Sequence, residues 1–266
     1  MNYGAMITAV LLIGILGLLL GLFLGFAAKV FHVETDERED KIIESLPGNN
    51  CGGCGYPGCS GLAAAIVKGE APVNGCPVGG DTVAKKVAEI MGVEAGEGVH
   101  LVAYVKCGGN CEVAEKKYEY HGETDCRMVA MVPGGGDKSC VYGCLGYGSC
   151  VKECQFDAIH IVKGIAVVDK DACKACGKCV EICPKKLIEL IPYDSAYMVA
   201  CSSKDKGPDV MKSCKTGCIG CGLCMKNCEA GAVTVSELVA HIDQEKCVKC
   251  GVCMEKCPRK TIIHEA

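Results

Sequence analysis

The sequence of 266 residues contains no tryptophan, and Phe, Tyr and Trp together make up only 5% of it. Because aromatic side chains supply much of the buried area in protein cores, a chain this poor in them needs another means of holding its fold together. A basic excess is missing as well, since the formal net charge is −4 and the pI is about 5.9. Nucleic acid is therefore not an expected partner, because nucleic-acid-binding domains usually have a basic patch and a pI above ~9.

Charged side chains are absent from the first 28 residues, and Lys29 is the first one. The uncharged segment 5–28 is longer than the ~20 apolar residues that span a bilayer. A cleavable signal peptide would have a basic start and an apolar core of only ~7–15 residues. We therefore predict a single transmembrane helix over 1–28 that contacts the lipid bilayer. Because Lys and Arg occur only on its C-terminal side, the remainder of the chain is expected on the cytoplasmic side of the inner (cytoplasmic) membrane.

Cysteine is the residue in excess, with 25 copies. An odd number excludes a fully disulfide-bonded monomer and leaves metal or cluster ligands, redox thiols, or a disulfide scaffold with one spare thiol. Three runs have the spacing C-x2-C-x2-C-x3-C of bacterial ferredoxins, in which the fourth cysteine ligates the other [4Fe–4S] cluster of a pair. These runs are Cys173, Cys176, Cys179 and Cys183; Cys218, Cys221, Cys224 and Cys228; and Cys247, Cys250, Cys253 and Cys257. Structural zinc sites use two separated ligand pairs, so this spacing favours iron–sulfur clusters over zinc.

A fourth run has wider spacing and consists of Cys140, Cys144, Cys150 and Cys154. Since the run that begins at Cys173 needs a partner, we pair the two runs and apply the exchange of fourth ligands. This predicts one cluster held by Cys140, Cys144, Cys150 and Cys183, and another held by Cys173, Cys176, Cys179 and Cys154. For the C-terminal pair it predicts one cluster held by Cys218, Cys221, Cys224 and Cys257, and another held by Cys247, Cys250, Cys253 and Cys228.

The first cysteine group differs from these runs, because one short unit with the spacing C-x2-C-x4-C-x16-C supplies all four ligands of a fifth cluster. These ligands are Cys51, Cys54, Cys59 and Cys76. Five cysteines belong to none of the groups, namely Cys107, Cys111, Cys126, Cys201 and Cys214. Two interpretations of them stay open: four of them could bind a sixth cluster, or they are buried structural thiols, since free cysteine packs like a small hydrophobic residue.

These patterns predict an α+β fold in which small units follow one another along the chain. The predicted order is a transmembrane helix at 1–28, a charged linker at 29–50, a single-cluster [4Fe–4S] domain at 51–97, a connecting α/β segment at 98–135, and two bacterial-type two-cluster ferredoxin domains at 136–195 and 196–266. The cysteine-rich units recur at ~30-residue spacing, which indicates an internal repeat.

Motifs for substrate chemistry are missing from the sequence. Gly134, Gly135 and Gly136 lack the spacing of a phosphate-binding loop, and no G-x-G-x-x-G opens a strand–helix unit. We therefore predict no catalytic residue, and we expect the cysteine-bound iron to transfer electrons only.

Residues 33–80 resemble the B subunit of the Rnf complex, a membrane-bound ferredoxin:NAD⁺ oxidoreductase that pumps ions. In that family a single N-terminal membrane helix precedes the four-cysteine unit, and two-cluster ferredoxin domains follow, which is the order found here. The resemblance implies a subunit of a translocase that accepts electrons from soluble ferredoxin and passes them along its [4Fe–4S] clusters to membrane and flavin-bearing partner subunits. Shorter family members have one ferredoxin pair where this chain has two.

Two other functions stay open on the residues alone. The chain could be the polyferredoxin subunit of another membrane redox complex, of the hydrogenase or formate dehydrogenase type, or a zinc-dependent interaction scaffold without a redox role. Charge gives one indication of where electrons arrive, because residues 1–139 have a net charge of −6 and residues 140–266 of +2. The lysines around the third regular run could steer an acidic ferredoxin or form an ordinary solvated surface. They are Lys204, Lys206, Lys212, Lys215 and Lys226.

Overall fold

A computed structural model describes residues 3–30, 36–96 and 98–264. The helices of this part of the chain are α1 (Tyr3–Val30), α2 (Glu37–Ser45), α3 (Gly58–Val67), α4 (Gly80–Met91), α5 (Cys126–Met131), α6 (Ser149–Glu153), α7 (Lys178–Ile182), α8 (Gly207–Ser213), α9 (Leu223–Lys226) and α10 (Val252–Glu255). The strands are β1 (Leu101–Val105), β2 (Ile159–Val162), β3 (Ile165–Val168), β4 (Ile188–Pro192), β5 (Tyr197–Val199), β6 (Val233–Ser236), β7 (Val239–Ile242) and β8 (Ile262–His264). Helices and strands are grouped in small units, which is consistent with the predicted α+β class.

The first helix, α1, has 28 residues and no charged side chain before Lys29. Its large apolar side chains are exposed; Leu12, Ile13 and Phe26, for example, are 69%, 72% and 68% exposed. The side chains of this helix are described without a gap only from 11 to 27, and within the described residues no helix has both the length and the hydropathy to cross a membrane. The transmembrane helix expected over 1–28, whose first two residues lie outside the described residues, therefore stays a prediction.

The next three helices form one small unit. Asp36 caps α2, since its carboxylate accepts a hydrogen bond from the Arg38 backbone N–H at 2.9 Å. The helix then buries Ile42 completely, against Leu62 of α3 and Val87 of α4. An apolar core between three helices thus supports the cysteine loop that connects α2 to α3.

This packing differs from the predicted linker over 29–50, of which 31–35 lie outside the described residues. Helix α2 is part of the cysteine unit, because Ile42 and Leu46 are both buried in its core. Charged side chains outnumber apolar ones in α2, which is the composition of a solvated linker. The helix nevertheless buries Ile42 in the core of the unit.

Among the residues that the structure describes, four two-stranded antiparallel sheets build the two ferredoxin-like units. In the first unit β2 pairs with β3, and β4 pairs with β1, so that Val105 lies opposite Ile188. In the second unit β6 pairs with β7, and β5 pairs with β8, so that Val199 lies opposite Ile262. The segment predicted as a connection over 98–135 is therefore part of the first unit, because its strand β1 completes the sheet of β4.

Short helices follow the cysteine loops of both units. Helices α7 and α10 begin directly after glycines in the left-handed conformation, with φ of 78° at Gly177 and 79° at Gly251. A residue with a Cβ atom adopts this conformation only at a cost. The resulting turn directs Cys179 and Cys253 into the two cores, where both are buried beside small aliphatic residues.

Candidate iron–sulfur centres

Site A is formed by the four cysteines of the N-terminal unit, which are Cys51, Cys54, Cys59 and Cys76. The last three pack against the helical core of that unit, and the Cys76 thiol accepts a hydrogen bond from the Gly79 backbone N–H at 3.4 Å. Burial raises the pKa of Cys76, and the proximity of Cys59 and Cys51 adds to that rise. The amide oxygen of Asn50 accepts a hydrogen bond from the Cys59 backbone N–H at 2.8 Å and closes the loop.

Site B is a cavity in the first ferredoxin-like unit, lined by Cys154, Cys173, Cys176 and Cys179. Two of these thiols accept backbone hydrogen bonds of 3.4 Å, Cys173 from Ala103 and Cys154 from Ala158. Burial raises the pKa of Cys179 to about 12, with smaller contributions from the neighbouring thiols. Cys154 comes from the other cysteine run, so these are the four residues that the exchange of fourth ligands names.

Site C is a second cavity in the same unit, lined by Cys126, Cys144, Cys150 and Cys183. Burial, together with smaller contributions from the three other cysteines, raises the pKa of Cys150 to about 12. The Cys183 thiol accepts a hydrogen bond from the Leu187 backbone N–H at 3.5 Å. Four thiols therefore face one small apolar space.

The lining of site C differs from the predicted ligand set, which has Cys140 where the cavity has Cys126. The backbone N–H of Cys126 donates to the Ser149 hydroxyl at 2.7 Å, and this bond ties the start of α5 to the start of α6, the helix that contains Cys150. Because Cys126 belongs to no cysteine run, its position in the sequence does not indicate that it lies in site C.

Site D lies where the two ferredoxin-like units meet, in a cavity lined by Cys107, Cys140, Cys201 and Cys214. A Cβ atom built on Gly109 would lie 3.5 Å from the sulfur of Cys107 and 3.7 Å from that of Cys214. Burial raises the pKa of Cys140, and Cys107 and Cys214 add to the rise. Burial likewise raises the pKa of Cys201 to about 11, with Cys140 among the thiols that contribute. Site D thus unites Cys140 with three of the five cysteines that the runs left over.

The thiols of site D accept backbone hydrogen bonds like those of sites A to C. Cys107 accepts one from Cys144 at 3.3 Å, and Cys201 accepts one from Ser203 at 3.4 Å. Local spacing could not predict this site, because its four cysteines come from four separate segments. The irregular spacing after Cys140 was the one sign that this residue belongs to a different site from Cys144.

Sites E and F lie in the second ferredoxin-like unit. Site E is lined by Cys218, Cys221, Cys224 and Cys257. Burial raises the pKa of Cys257, but three backbone N–H groups, led by that of Thr261 at 3.4 Å, outweigh burial and lower it below its usual value. Site F is the set that the cysteine spacing predicts, Cys228, Cys247, Cys250 and Cys253, of which Cys228 and Cys253 lie in one apolar core. Burial, together with smaller contributions from the neighbouring thiols of Cys247 and Cys250, raises the pKa of Cys253 to about 11.

One cysteine, Cys111, lies outside the six sites. It is exposed, and its backbone N–H donates to the Lys163 carbonyl at 2.9 Å. Six sites of four thiols therefore account for 24 of the 25 cysteines.

The sites have the donor chemistry of an iron–sulfur cube, since four thiols line a mostly apolar cavity at each of sites B to E, and every site has a backbone N–H group directed at sulfur. In the wall of site E, the Nε of Arg259 is buried without a hydrogen-bond partner in the described part of the chain, and a cluster sulfur would supply an acceptor. Among the described residues, no group of three or more His, Cys, Asp or Glu side chains is arranged to hold a single metal ion. A tetrahedral zinc ion needs its thiolates ~2.3 Å from one centre. In an iron–sulfur cube each thiolate binds a different iron atom, so the four sulfur atoms lie farther apart.

Consecutive sites lie next to each other in the order A to F. Between sites A and B, a Cβ atom on Gly53 would lie 2.7 Å from the carbonyl oxygen of Cys176. Between sites C and D, the Cys144 backbone N–H donates to the sulfur of Cys107 at 3.3 Å. In both places a residue of one cysteine loop therefore contacts a predicted ligand of the next site.

The remaining neighbours are close enough to influence each other electrostatically. In each case burial is the main cause that raises the pKa of a thiol, and a thiol of the adjacent site adds to it. The pairs are Cys179 with Cys150 for sites B and C, Cys201 with Cys218 for sites D and E, and Cys253 with Cys224 for sites E and F. The six sites thus form one continuous series.

Three protein families match parts of the chain. The family described as "Putative Fe-S cluster" matches residues 46–78, "4Fe-4S binding domain" matches 166–189, and "4Fe-4S dicluster domain" matches 217–261. The first range contains site A, and the last contains sites E and F. The cofactors of this chain are therefore [4Fe–4S] clusters.

Three named proteins are similar to this chain over most of its length. The B subunit of the Na(+)-translocating ferredoxin:NAD(+) oxidoreductase complex of Acetobacterium woodii is 50% identical over 243 residues, which cover 91% of this chain and 73% of the relative. The B subunit of the ion-translocating oxidoreductase complex of Methanosarcina acetivorans is 43% identical over 258 residues, 97% of each chain. The B subunit of the proton-translocating ferredoxin:NAD(+) oxidoreductase complex of Clostridium ljungdahlii is 43% identical over 246 residues, 92% of this chain and 86% of the relative. With four-cysteine sites between Cys51 and Cys257 and this similarity along nearly its whole length, the chain belongs to the family of B subunits of the ion-translocating oxidoreductase, or Rnf, complexes.

Proposed function

We propose that this iron–sulfur subunit accepts single electrons from a reduced soluble ferredoxin and passes them to membrane and flavin-bearing subunits of an ion-pumping ferredoxin:NAD⁺ oxidoreductase. The observation that supports this most strongly is the continuous series of four-thiol sites from A to F. Bound [4Fe–4S] clusters supply one-electron chemistry. Since the sequence has no dinucleotide-binding fingerprint, hydride transfer to NAD⁺ is assigned to a partner subunit.

We assign one [4Fe–4S] cluster to each of the six sites, with the four cysteines of that site as ligands. Sites A, B, E and F have the ligands expected from the cysteine spacing. Site C uses Cys126 in place of Cys140, and site D is the sixth cluster that the sequence left open. Four convergent thiols and sulfur-directed N–H groups support site D as they support site B.

Electrons arrive at the C-terminal end of the series in this proposal. Cys221 of site E and Cys250 of site F are exposed, so a donor can approach both sites closely. Around them Val248 is 68% exposed, and exposed lysines such as Lys226 give this half of the chain its positive net charge. An acidic ferredoxin would be attracted to such a surface.

Site A at the other end follows α1 and is the site from which electrons leave. The relatives are subunits of ion-translocating complexes, which are membrane-associated. We assign α1 as a single membrane span with the cluster-bearing units on the cytoplasmic side. This assignment is supported by the uncharged stretch before Lys29 and by the exposed leucine and phenylalanine side chains of the helix.

The experiment that tests the function is anaerobic mixing of the full chain, loaded with clusters, with reduced ferredoxin. We expect rapid loss of absorbance near ~400 nm as the clusters are reduced, and the Cys111→Ser variant should behave identically. No reduction by ferredoxin, with dithionite still able to reduce the same sample, would refute the proposed donor.

Co-purification tests the assignment of partners. A component of an Rnf-type complex is expected to be isolated with flavin-bearing membrane subunits. Isolation with a nickel or molybdenum protein instead would support the alternative of a polyferredoxin from a hydrogenase or formate dehydrogenase. Zinc in place of iron and sulfide would support a structural scaffold.

A further inference from the structure

Lys138 is a buried cation in the wall of site D. The residue is only 4% exposed, and it lines the same cavity as the four cysteines of that site. Its Nζ donates hydrogen bonds of 2.9 Å to the carbonyl oxygens of Gly109 and Gly164. Among the described residues, no carboxylate forms an ion pair with it, since the adjacent Asp137 pairs with Lys116 at 2.9 Å.

A buried ammonium group that has only carbonyl partners is unfavourable, because two dipoles replace only part of the lost hydration. Buried charges in proteins are therefore paired with an opposite charge or bound to a metal centre. In the part of the chain that the structure describes, no carboxylate close to Lys138 provides such a counter-charge by an ion pair. A cube with four thiolates has a net charge of about −2 when oxidised, and one at site D would supply it.

Lys138 also lies close to site C. Burial raises the pKa of the Cys144 thiol, and the charge of Lys138 acts in the opposite direction. Cys144 is the residue whose N–H donates to the sulfur of Cys107, so the ammonium group is near the point where sites C and D meet. Lys185 also lines site C, but it is only half-buried and is hydrogen-bonded to the Val141 carbonyl at 2.8 Å, so solvent screens its charge more strongly than that of the buried Lys138.

We propose that Lys138 sets the reduction potentials of the clusters at sites C and D. This inference rests on the proposed function, in particular on a cluster at site D. Reduction adds one electron to a cluster and forms or breaks no bond to Lys138, so the residue acts only through its fixed positive charge. That charge stabilises the more negative, reduced form, and the effect is large because the surroundings exclude water. Sites C and D thereby accept electrons more readily than they would without the cation, which favours transfer inward from the exposed sites E and F.

The test is a potentiometric titration followed by EPR on the cluster-loaded full chain and its Lys138→Met variant. We expect two of the six reduction potentials to become more negative while iron stays at about 24 atoms per chain. Lys138→Arg keeps the charge and should retain the original potentials. The matched control is Lys152→Met, because Lys152 also donates to a backbone carbonyl, that of Thr124 at 2.8 Å, but is exposed; its removal should leave the potentials unchanged.

Unchanged potentials in a Lys138→Met protein that keeps its iron would overturn the inference. If that variant does not assemble its clusters, Lys138→Gln retains a hydrogen-bond donor without the charge, and unchanged potentials there would overturn it equally. A failure of the underlying assignment has a different signature. In that case the unsubstituted chain would bind about 20 iron atoms, and Cys214→Ser would not lower that number.

Discussion

A Cβ atom on Gly53 of site A would lie 2.7 Å from the carbonyl oxygen of Cys176 of site B and 2.9 Å from its Cα. Both distances are far below van der Waals contact, so the two cysteine loops touch at a position that only glycine can occupy. Burial raises the pKa of Cys176, and the neighbouring thiol of Cys51 adds to it. The N-terminal unit therefore meets the first ferredoxin-like unit through the ligand loops of their two sites.

Gly53→Ala should force these loops apart, because the backbone atoms of Cys176 cannot rotate away as a side chain can. If the two loops stay in contact, the overpacking costs ~1–3 kcal/mol of stability. If the loops separate, electron transfer between sites A and B becomes slower. Freeze-quench EPR after rapid mixing with reductant measures when the site A signal develops. Gly96→Ala is the matched control, since its new Cβ would meet only the Asn74 amide nitrogen, at an ordinary 3.8 Å. Equal rates in the two variants would contradict the role of this contact.

Paired cysteine substitutions test which thiols share a cluster. Effects of residues in one site are strongly non-additive, whereas those in separate sites add. We therefore expect Cys126→Ser with Cys183→Ser to remove no more iron than either change alone, and Cys126→Ser with Cys140→Ser to remove about twice as much. Iron and sulfide analysis of the purified proteins provides the measurement. Additive loss for the first pair would show that Cys126 does not belong to site C, and Cys111→Ser should lose no iron.

Attraction of ferredoxin to the C-terminal unit predicts a dependence on charge and salt. Lys226→Glu should lower the second-order rate of reduction by ferredoxin several-fold at low ionic strength. The difference from the unsubstituted chain should shrink as salt rises, because exposed charges are screened beyond ~10 Å at 0.1 M. Stopped-flow mixing over a range of salt concentrations measures both effects. Lys85→Glu makes the same change on the exposed surface of α4; an equal loss of rate in that variant would show that ferredoxin docks elsewhere.

Removal of residues 1–30 should release the chain from membranes without disturbing its clusters. The helix α1 exposes Leu12, Ile13 and Phe26 by 69%, 72% and 68%, and water is a poor solvent for such a surface. We expect the full chain to stay in the membrane pellet after alkaline carbonate treatment and the shortened chain to be soluble with the same iron content. Extraction of the full chain by carbonate would contradict a membrane span.

Local spacing was sufficient to group the cysteines of a single loop. Three thiols within seven residues can face one centre only if the chain turns tightly, and the glycine after the second cysteine permits this turn, as the φ of 78° at Gly177 illustrates. The repeat of the runs then related Cys154 to the Cys173 run and Cys257 to the Cys218 run. The similarity to the B subunits of Rnf complexes was likewise evident from the order of these motifs along the chain.

Two features could not be predicted from local spacing. One is the place of Cys126 in site C, and the other is the place of α2 in the N-terminal unit. Cys126 reaches site C because the hydrogen bond from its N–H to Ser149 at 2.7 Å ties α5 to α6. The role of α2 was equally hidden, since a single fully buried residue, Ile42, joins a mostly charged helix to the core of site A. Both features depend on contacts between segments that are distant in sequence.

Composition and spacing alone therefore establish that the chain holds its fold with cysteine-bound clusters instead of aromatic cores, and which loops carry them. Folding adds site D, whose cysteines are separated by 33, 61 and 13 residues, and it buries Lys138 beside them. Spacing carries information only when a short backbone turn brings ligands together. Where the ligands come from separate segments, the packing of strands and helices between them determines which thiols meet, and that packing is a property of the folded chain as a whole.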